Sequence, residues 1–427
     1  MFLFFVLLIG PGTSFGQLQA YDTLRVMTYN TLNYGFPATG SCPALLTESK
    51  HTWLRTVLEY SNPDILGLEK MDASPATFTS DTVIQRVLDS VCNDCYGHTP
   101  FTNNSGYEKE NMLYYKSAKI GWSGTTTIYS GDPNISDINL HHLYYKSPTL
   151  ALTHDTIFLN IILVHLESGP GSAAERATEM TGAMSWLNSH VTLPGNYIFM
   201  GDLNTQSSGE SCFLQLVASP DSNTLFFDPV SQSGNWSTDP TAFAHYLTQS
   251  TRTTDPGDCG STDGMTNRFD HILCTKQLMD GTDSLQYIPG TFDIVGQDGL
   301  HVNSSLTASP PDISVPANVL NALYYMSEHL PVMLQLAVGG QPSTGINTLS
   351  DNNTFSIYPN PANSMVHVQG LNHQTELTIY SVTGAKLLTV PASDHHDIDI
   401  DISSLSPGLY FIAASDGGAQ RKLVIAR

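Results

Sequence analysis

Between residues 24 and 338 the sequence alternates two kinds of segment, and that alternation limits the fold more than any other feature. Short runs rich in β-branched and aromatic residues (LRVMTYNTL, PDILGLEK, NMLYYK, TIFLNIILVHL, NYIFMGD, RFDHILCT and LPVMLQLAV) have the length and composition of strands. Among them ESKHTWLRTVLEYS, SDTVIQRVLDSVC and SAAERATEMTGAMSWLNSH carry apolar residues at helical spacing. Strands interleaved with helices indicate a layered α/β domain. With 427 residues and 41% hydrophobic content, the chain can bury the core that such a domain needs.

Each strong strand also delivers a polar residue at one end. Asn30 follows RVMTY, Glu69 follows ILGL, His165 follows IILV, and Asp202 with Asn204 follow YIFMG. Asp270 instead precedes ILCT, and Glu328 and His329 precede LPVMLQL. For all of them to meet at one edge, the last two strands must run opposite to the first four, which requires mixed sheets. In FMGDLNTQ the side chains of Asp202 and Asn204, two apart in extended chain, project to one side, and Gly201 permits close backbone approach beneath them. A carboxylate there orients or deprotonates a water, and the carboxamide donates to that water or to a phosphate oxygen. Taken alone, the same pair reads as an Asx-turn leaving the strand.

The flanks differ from this central part. MFLFFVLLIG followed by PGTSFG reads as a signal peptide over residues 1–16, although it lacks a basic residue near Met1. Residues 17–338 form the main domain. QPSTGINTLSDNN marks a linker over 339–354, and short alternating strands with turn signals make residues 355–427 a small all-β sandwich. No later stretch reads as a membrane span, so the mature protein is expected to lack one and to be a monomer. Export suits six cysteines in pairs, whose connectivity the sequence leaves open; Cys92 and Cys95 read as a small disulfide or core thiols, not half a zinc site. The net charge of −22 gives no basic stripe of the kind that grips nucleic acid through phosphate neutralisation.

Two resemblances follow from motifs. YPNPANSMVHV, IYSVTGAKLL and LSPGLYFI, with a terminal basic and apolar strand, closely resemble the C-terminal sorting domain of the Bacteroidetes type IX (Por) secretion system. That resemblance implies handling by the type IX machinery and export through the periplasm and outer membrane, to end secreted or attached to the cell surface. MTYNTLN, PDILGLEK, LVHLESG, FMGDLNTQ, RFDHILC and SEHLPV, in that order, look like the successive motifs of the endonuclease/exonuclease/phosphatase superfamily, the deoxyribonuclease-I-like fold. It implies a four-layered α/β sandwich, with two mixed β-sheets face to face and helices outside, that cuts phosphate esters with Mg²⁺, or with Mn²⁺ or Ca²⁺.

By that resemblance Glu69 is the principal metal-binding carboxylate, with Asn30 and Glu328 completing the metal site through hard oxygen ligands. Asp202 and Asn204 position the nucleophile and the phosphate, Asp270 orients the active-site His329, and His165 stands near the leaving group. Glu328 departs from the Asp that the family commonly has there, and His271 is read as a strand residue only. The resemblance leaves the substrate open. A secreted endonuclease acting on extracellular nucleic acid is the leading expectation, with a lipid or small-molecule phosphodiesterase or phosphatase, sphingomyelinase-like or inositol-phosphate-like, as the alternative. Arg252 and Arg268 are expected to contact phosphate. The polar loop before Asp270 is expected to border the cleft, with Tyr107, Tyr114 and Tyr115 near it or in the core.

Overall fold

A computed structural model describes residues 20–43, 47–73, 83–130, 134–148, 150, 156–339, 355–371, 375–381, 386–393, 397–414 and 420–427. The expected signal peptide lies outside the described residues, as does the expected linker apart from Gly339. The chain divides into two compact units, Met1–Gly340 and Gln341–Arg427.

The first half of unit one contains β1 (Ala20–Tyr34), α1 (Thr47–Ser61), β2 (Ile65–Asp72), β3 (Tyr96–His98), β4 (Lys109–Lys116), β5 (Ile120–Tyr129), β6 (Ile138–Tyr145) and β7 (Ile157–His165). There follow α2 (Ala173–His190), β8 (Tyr197–Asp202), α3 (Ser211–Val217), β9 (Phe226–Phe227), β10 (Asp270–Thr275), α4 (Lys276–Asp280), β11 (Leu285–Tyr287), β12 (Asp293–Ile294), α5 (Ala317–Met326) and β13 (Val332–Gly339). Of the helix expected around residues 80–92, the described part is helical throughout 83–91, with a π-helical stretch Ile84–Leu88 running into α-helical Asp89–Val91. Strands β5 and β6 and helix α5 were not legible beforehand. In β5 the run WSGTTT, exposed or half-buried, breaks the apolar alternation that marks a strand.

Two mixed sheets form the centre. The first has the order β11-β13-β1-β2-β4-β3, with β12 also on β13, and the second β5-β6-β7-β8-β10-β9. β1 and β2 are parallel, as are β7 and β8, whereas β13 is antiparallel to β1 and β10 antiparallel to β8. The last two site-bearing strands thus run opposite to the neighbours that carry the other site residues. The sheets pack face to face so closely that a β-carbon on Gly67 of β2 would come within 2.6 Å of Leu163 Cδ1 of β7. Helices α1 and α5 pack against each other, and their Leu54, Val57, Leu58, Leu320 and Leu323 belong to the main hydrophobic core. On the far side of the second sheet, Met180, Met184 and Leu187 of α2 and Phe213 of α3 cover Ile162, Val164 and Phe199. Helix, sheet, sheet and helix make the four layers.

Two disulfides form, Cys42–Cys259 across 217 residues and Cys92–Cys95 across three, while Cys212 and Cys274 are buried thiols. Among the described residues no helix is long and apolar enough to cross a membrane.

The second unit contains β14 (Ser356–Tyr358), β15 (Met365–Gln369), β16 (Thr375–Ser381), β17 (Lys386–Ser393), β18 (Asp397–Asp401), β19 (Gly408–Ala414) and β20 (Gln420–Ile425). They form two antiparallel sheets, β14-β15-β18 and β17-β16-β19-β20, around Val366, Ile379, Ile400, Ile412 and Leu423.

Candidate active site

Strand register builds the site. In the second sheet His165 of β7 is paired with Asp202 of β8, and Asp202 in turn with Asp270 of β10, so three polar residues stand in one row across three strands. In the first sheet Asn30 of β1 is paired with Glu69 of β2. His329 enters from the turn between α5 and β13, where the Ser327 hydroxyl donates to the Asn30 carbonyl (2.7 Å) and accepts from the His329 N–H (3.1 Å). A cavity of about 340 Å³ opens where these ends meet, lined by Lys70, His165, Asp202, Asn204, Glu328 and His329 among others. Asn30, Glu69 and Asp270 lie behind that wall, each fully buried.

Asp202 is held from three sides. Its Oδ2 accepts from Asn30 Nδ2 at 2.8 Å and lies 3.7 Å from Nε2 of both His165 and His329. Its Oδ1 accepts the Asn204 N–H at 2.8 Å, so this pair is an Asx-turn after all. Asn204 has left the extended conformation, with φ 51°, and its Nδ2 donates to the Leu166 carbonyl at 2.9 Å. The expectation of two parallel side chains on an extended strand is corrected: the turn itself brings both groups to the cavity. Gly201, with φ 131°, has no alternative, since a β-carbon would lie 1.9 Å from the Val164 carbonyl oxygen.

Nδ1 of His329 is 2.8 Å from Asp270 Oδ2, and the Gln249 amide lies 2.9 Å from its Nε2. Burial opposes charge on His329, but the Asp270 and Asp202 carboxylates outweigh it and raise the ring to about 9. Burial raises Asp202 to about 6 against the pull of His329 and the Asn30 hydrogen bond. Burial takes His165 well below its ordinary value, aided by the charges of Lys70, Lys109 and His329.

Lys50 organises both edges of the site from behind. Its ammonium donates to the carbonyls of Thr31 (3.1 Å) and Leu32 (2.6 Å), just after Asn30, and of Met326 (2.9 Å), just before Glu328. Burial pulls it down to about 7, yet three carbonyl acceptors match the three N–H bonds of the charged form.

The metal set drawn from the sequence was Asn30, Glu69 and Glu328. The structure engages part of it and leaves Glu69 Oε2 without a partner among the described residues. Asn30 spends Oδ1 on the Leu32 N–H (3.0 Å) and Nδ2 on Asp202. Glu69 accepts from the Thr28 hydroxyl, and burial raises its carboxyl well above the usual range despite that bond. Glu328 accepts the Ser261 N–H and faces Lys70 Nζ at 3.4 Å. Burial works against its ionisation, but Lys70 and His329 hold its carboxyl below the ordinary value. Glu69 Oε2 and Asp270 Oδ1 are nevertheless buried with no hydrogen-bond partner among the described residues, so carboxylate oxygens of the kind that hold a divalent ion remain open beside the Lys70–Glu328 pair. Asp202, Asp270 and His329 do present ligand atoms within 4.8 Å of one another, a group that could hold a metal ion.

Lys70 escaped the sequence reading, its only signal being a basic residue directly after an apolar strand. Gln249 and Lys50 escaped as well. Arg252 and Arg268 are corrected: both are fully buried, Arg252 paired with Asp258 at 2.9 Å and Arg268 forked onto Asp228 at 2.8 and 2.9 Å, so neither is free for phosphate. The loop before Asp270 does border the cavity through Cys259, Ser261, Asp263, Asn267 and Phe269. Its Asp255 accepts the N–H groups of Gly257, Asp258 and Cys259, as in a turn. Tyr107, Tyr114 and Tyr115 are not in the cavity wall, and Tyr114 is core. His271 is wedged between Phe213 and Trp236, away from the cavity.

Residues 356–426 match the family model of the secretion system C-terminal sorting domain. That domain marks the chain for type IX export to the cell surface or beyond. No curated protein matches the chain. Similar solved structures include the human Nocturnin catalytic domain with bound sulfate anion, with 12% identity over 74% of this chain and 94% of that one and a TM-score of 0.42. An endonuclease/exonuclease/phosphatase family protein from Bacteroides thetaiotaomicron has 12% identity over 75% and 99%, with a TM-score of 0.45. Truncated TDP2 from Caenorhabditis elegans has 15% identity over 74% and 98%, with a TM-score of 0.43. At these identities and scores the likeness carries no information about chemistry.

Proposed function

We propose that this exported chain is a phosphoesterase that hydrolyses a phosphodiester bond in the cavity between its two sheets. One observation carries the reading: Asp202, His165 and the Asp270–His329 pair, from four separate segments, converge within hydrogen-bonding or near-contact distance at one polar cavity. A water on phosphorus gives one proton to the Asp202 carboxylate while its oxygen forms the new P–O bond. The P–O bond to the alcohol breaks, and the departing oxygen takes a proton from the His329 imidazolium. Return of the proton from Asp202 to His329, 3.7 Å away, restores both groups. Asn204 and His165 contact the phosphate oxygens, and Asp270 fixes the His329 ring.

Of the two substrate classes, the structure favours the small phosphate ester. A long polyanion is gripped by several Lys or Arg contacts, and Arg252 and Arg268 are both committed to buried ion pairs. The domain division proposed is a catalytic unit ending near residue 338, followed by a removable sorting domain. Purified protein is incubated with bis(p-nitrophenyl) phosphate, sphingomyelin and plasmid DNA. Hydrolysis of the small diester, abolished in Asp202→Ala, supports the proposal. Cleavage of DNA alone moves the chain to the nuclease class, and hydrolysis undiminished by Asp202→Ala removes the proposed mechanism.

A further inference from the structure

Strand β2 breaks its register beside the cavity. Leu68 is paired with Met112 of β4 and the next pair along is Met71 with Glu110, so Glu69 and Lys70 together stand opposite one residue, Asn111. Two residues against one make a β-bulge, a device that re-aims side chains next to active sites. Lys70, with φ 60°, carries the left-handed backbone of this one and reaches the cavity wall.

Asn111 belongs to the inner face of its sheet. Gly67 meets Leu163 of β7 across the two sheets, Leu113 is the β4 partner of Gly67, and Asn111 lies two residues farther along the same pleat. It is 6% exposed, and neither its Oδ1 nor its Nδ2 has a hydrogen-bond partner among the described residues. Glu69 Oε2, across the bulge, is in the same condition, and so is Asp270 Oδ1. A buried amide with both ends unused is rare in a native fold and calls for an ion or a water that completes it. The two open carboxylate oxygens decide for the ion, because carboxylate and carboxamide oxygens together are the donors that a hard divalent cation takes.

We propose that Asn111 is a further metal-holding residue of this site, its Oδ1 joining Glu69 Oε2 in the shell of a divalent ion. This deepens the phosphoesterase reading and rests on it for the use of the ion, which is to polarise the phosphate. Asn111 stands outside the set of Asn30, Glu69 and Glu328 drawn from the sequence, where NMLYYK reads as a strand and nothing more. The bulge is what brings it opposite Glu69.

The whole exported protein, stripped with EDTA and dialysed, is titrated calorimetrically with Mn²⁺ alone, and its thermal unfolding is followed with and without the ion. Asn111→Leu should bind Mn²⁺ about tenfold more weakly than the wild type or worse. Metal-free, the same variant should melt no lower than the wild type, because an apolar side chain of similar size removes an unsatisfied buried amide. Its rise in melting temperature on adding Mn²⁺ should shrink. Asn111→Asp keeps an oxygen donor and should bind at least as tightly as the wild type, whereas Glu69→Gln should bind more weakly. Mn²⁺ binding that is absent from the wild type, or indifferent to Asn111→Leu or to Glu69→Gln, overturns the inference. Hydrolysis of bis(p-nitrophenyl) phosphate in the same samples separates the two readings. Turnover together with binding indifferent to Asn111 leaves a phosphoesterase and removes this inference; binding that depends on Asn111 with no ester hydrolysed keeps the ion site and removes the functional reading.

Discussion

His329 Nδ1 lies 2.8 Å from Asp270 Oδ2, joining the turn that leads into β13 of one sheet to the first residue of β10 in the other. Both residues are buried and their strands belong to different layers, so the contact exists only because the sheets stack in this register. Asp270→Asn keeps the shape but removes the charge that fixes the ring and sustains its proton. Turnover should fall about 10²- to 10⁴-fold with little change in KM, by analogy with other oriented histidines. Steady-state kinetics on bis(p-nitrophenyl) phosphate check this, and a loss confined to KM would contradict it.

Lys50 ties the end of β1 to the end of α5 through three carbonyls. Lys50→Met leaves those acceptors unpaired in the interior, and each charged hydrogen bond is worth about 1.5–3 kcal/mol. The variant should lose on the order of 3 kcal/mol or more in denaturant unfolding. Because the same carbonyls flank Asn30 and Glu328, kcat should drop in whatever fraction remains folded.

The Cys42–Cys259 disulfide closes a loop of 217 residues and anchors the segment that carries Ser261 and Asp263 in the cavity wall. On chain-entropy grounds it contributes roughly 5 kcal/mol. Cys259→Ser should lower the melting temperature and raise KM more than it lowers kcat, because the wall loosens while Asp202 stays in its strand and His329 in its hydrogen-bonded turn. An unchanged melting temperature would show that the bond constrains nothing.

Glu110 supplies the pH dependence. Burial, with the neighbouring Asp72 charge, raises it to about 8, and its Oε2 has no partner among the described residues. Between the ordinary carboxylate range and about pH 8 the unfolded chain has released this proton while the folded chain still binds it. The stability contributed is therefore complete at low pH and is lost as pH rises toward 8, by a few kcal/mol. Glu110→Gln should flatten the decline between about pH 5 and 8 in urea titrations; a parallel decline in wild type and variant would assign it elsewhere.

Much of this molecule was legible in the chain because buried strands carry unbroken apolar runs. IILVH, YIFMGD and DHILC read as strands, and they deliver His165, Asp202 and Asp270 in one register row. What was not legible depends on partners far away in sequence. Arg268 looked available for phosphate until Asp228, 40 positions earlier, closed on it. Asn204 looked extended until its own N–H turned back onto Asp202.

The sequence by itself determined the alternation of strands and helices, the opposed direction of the last two site-bearing strands and the sorting tail, because period, length and strand-end polarity are local properties. Only the tertiary structure decided which charges reach the cavity. A left-handed residue and a register shift turn Lys70 inward, Thr28 closes on one oxygen of Glu69 and leaves the other without a partner among the described residues, and no local pattern records either, since both arise from how the strands meet.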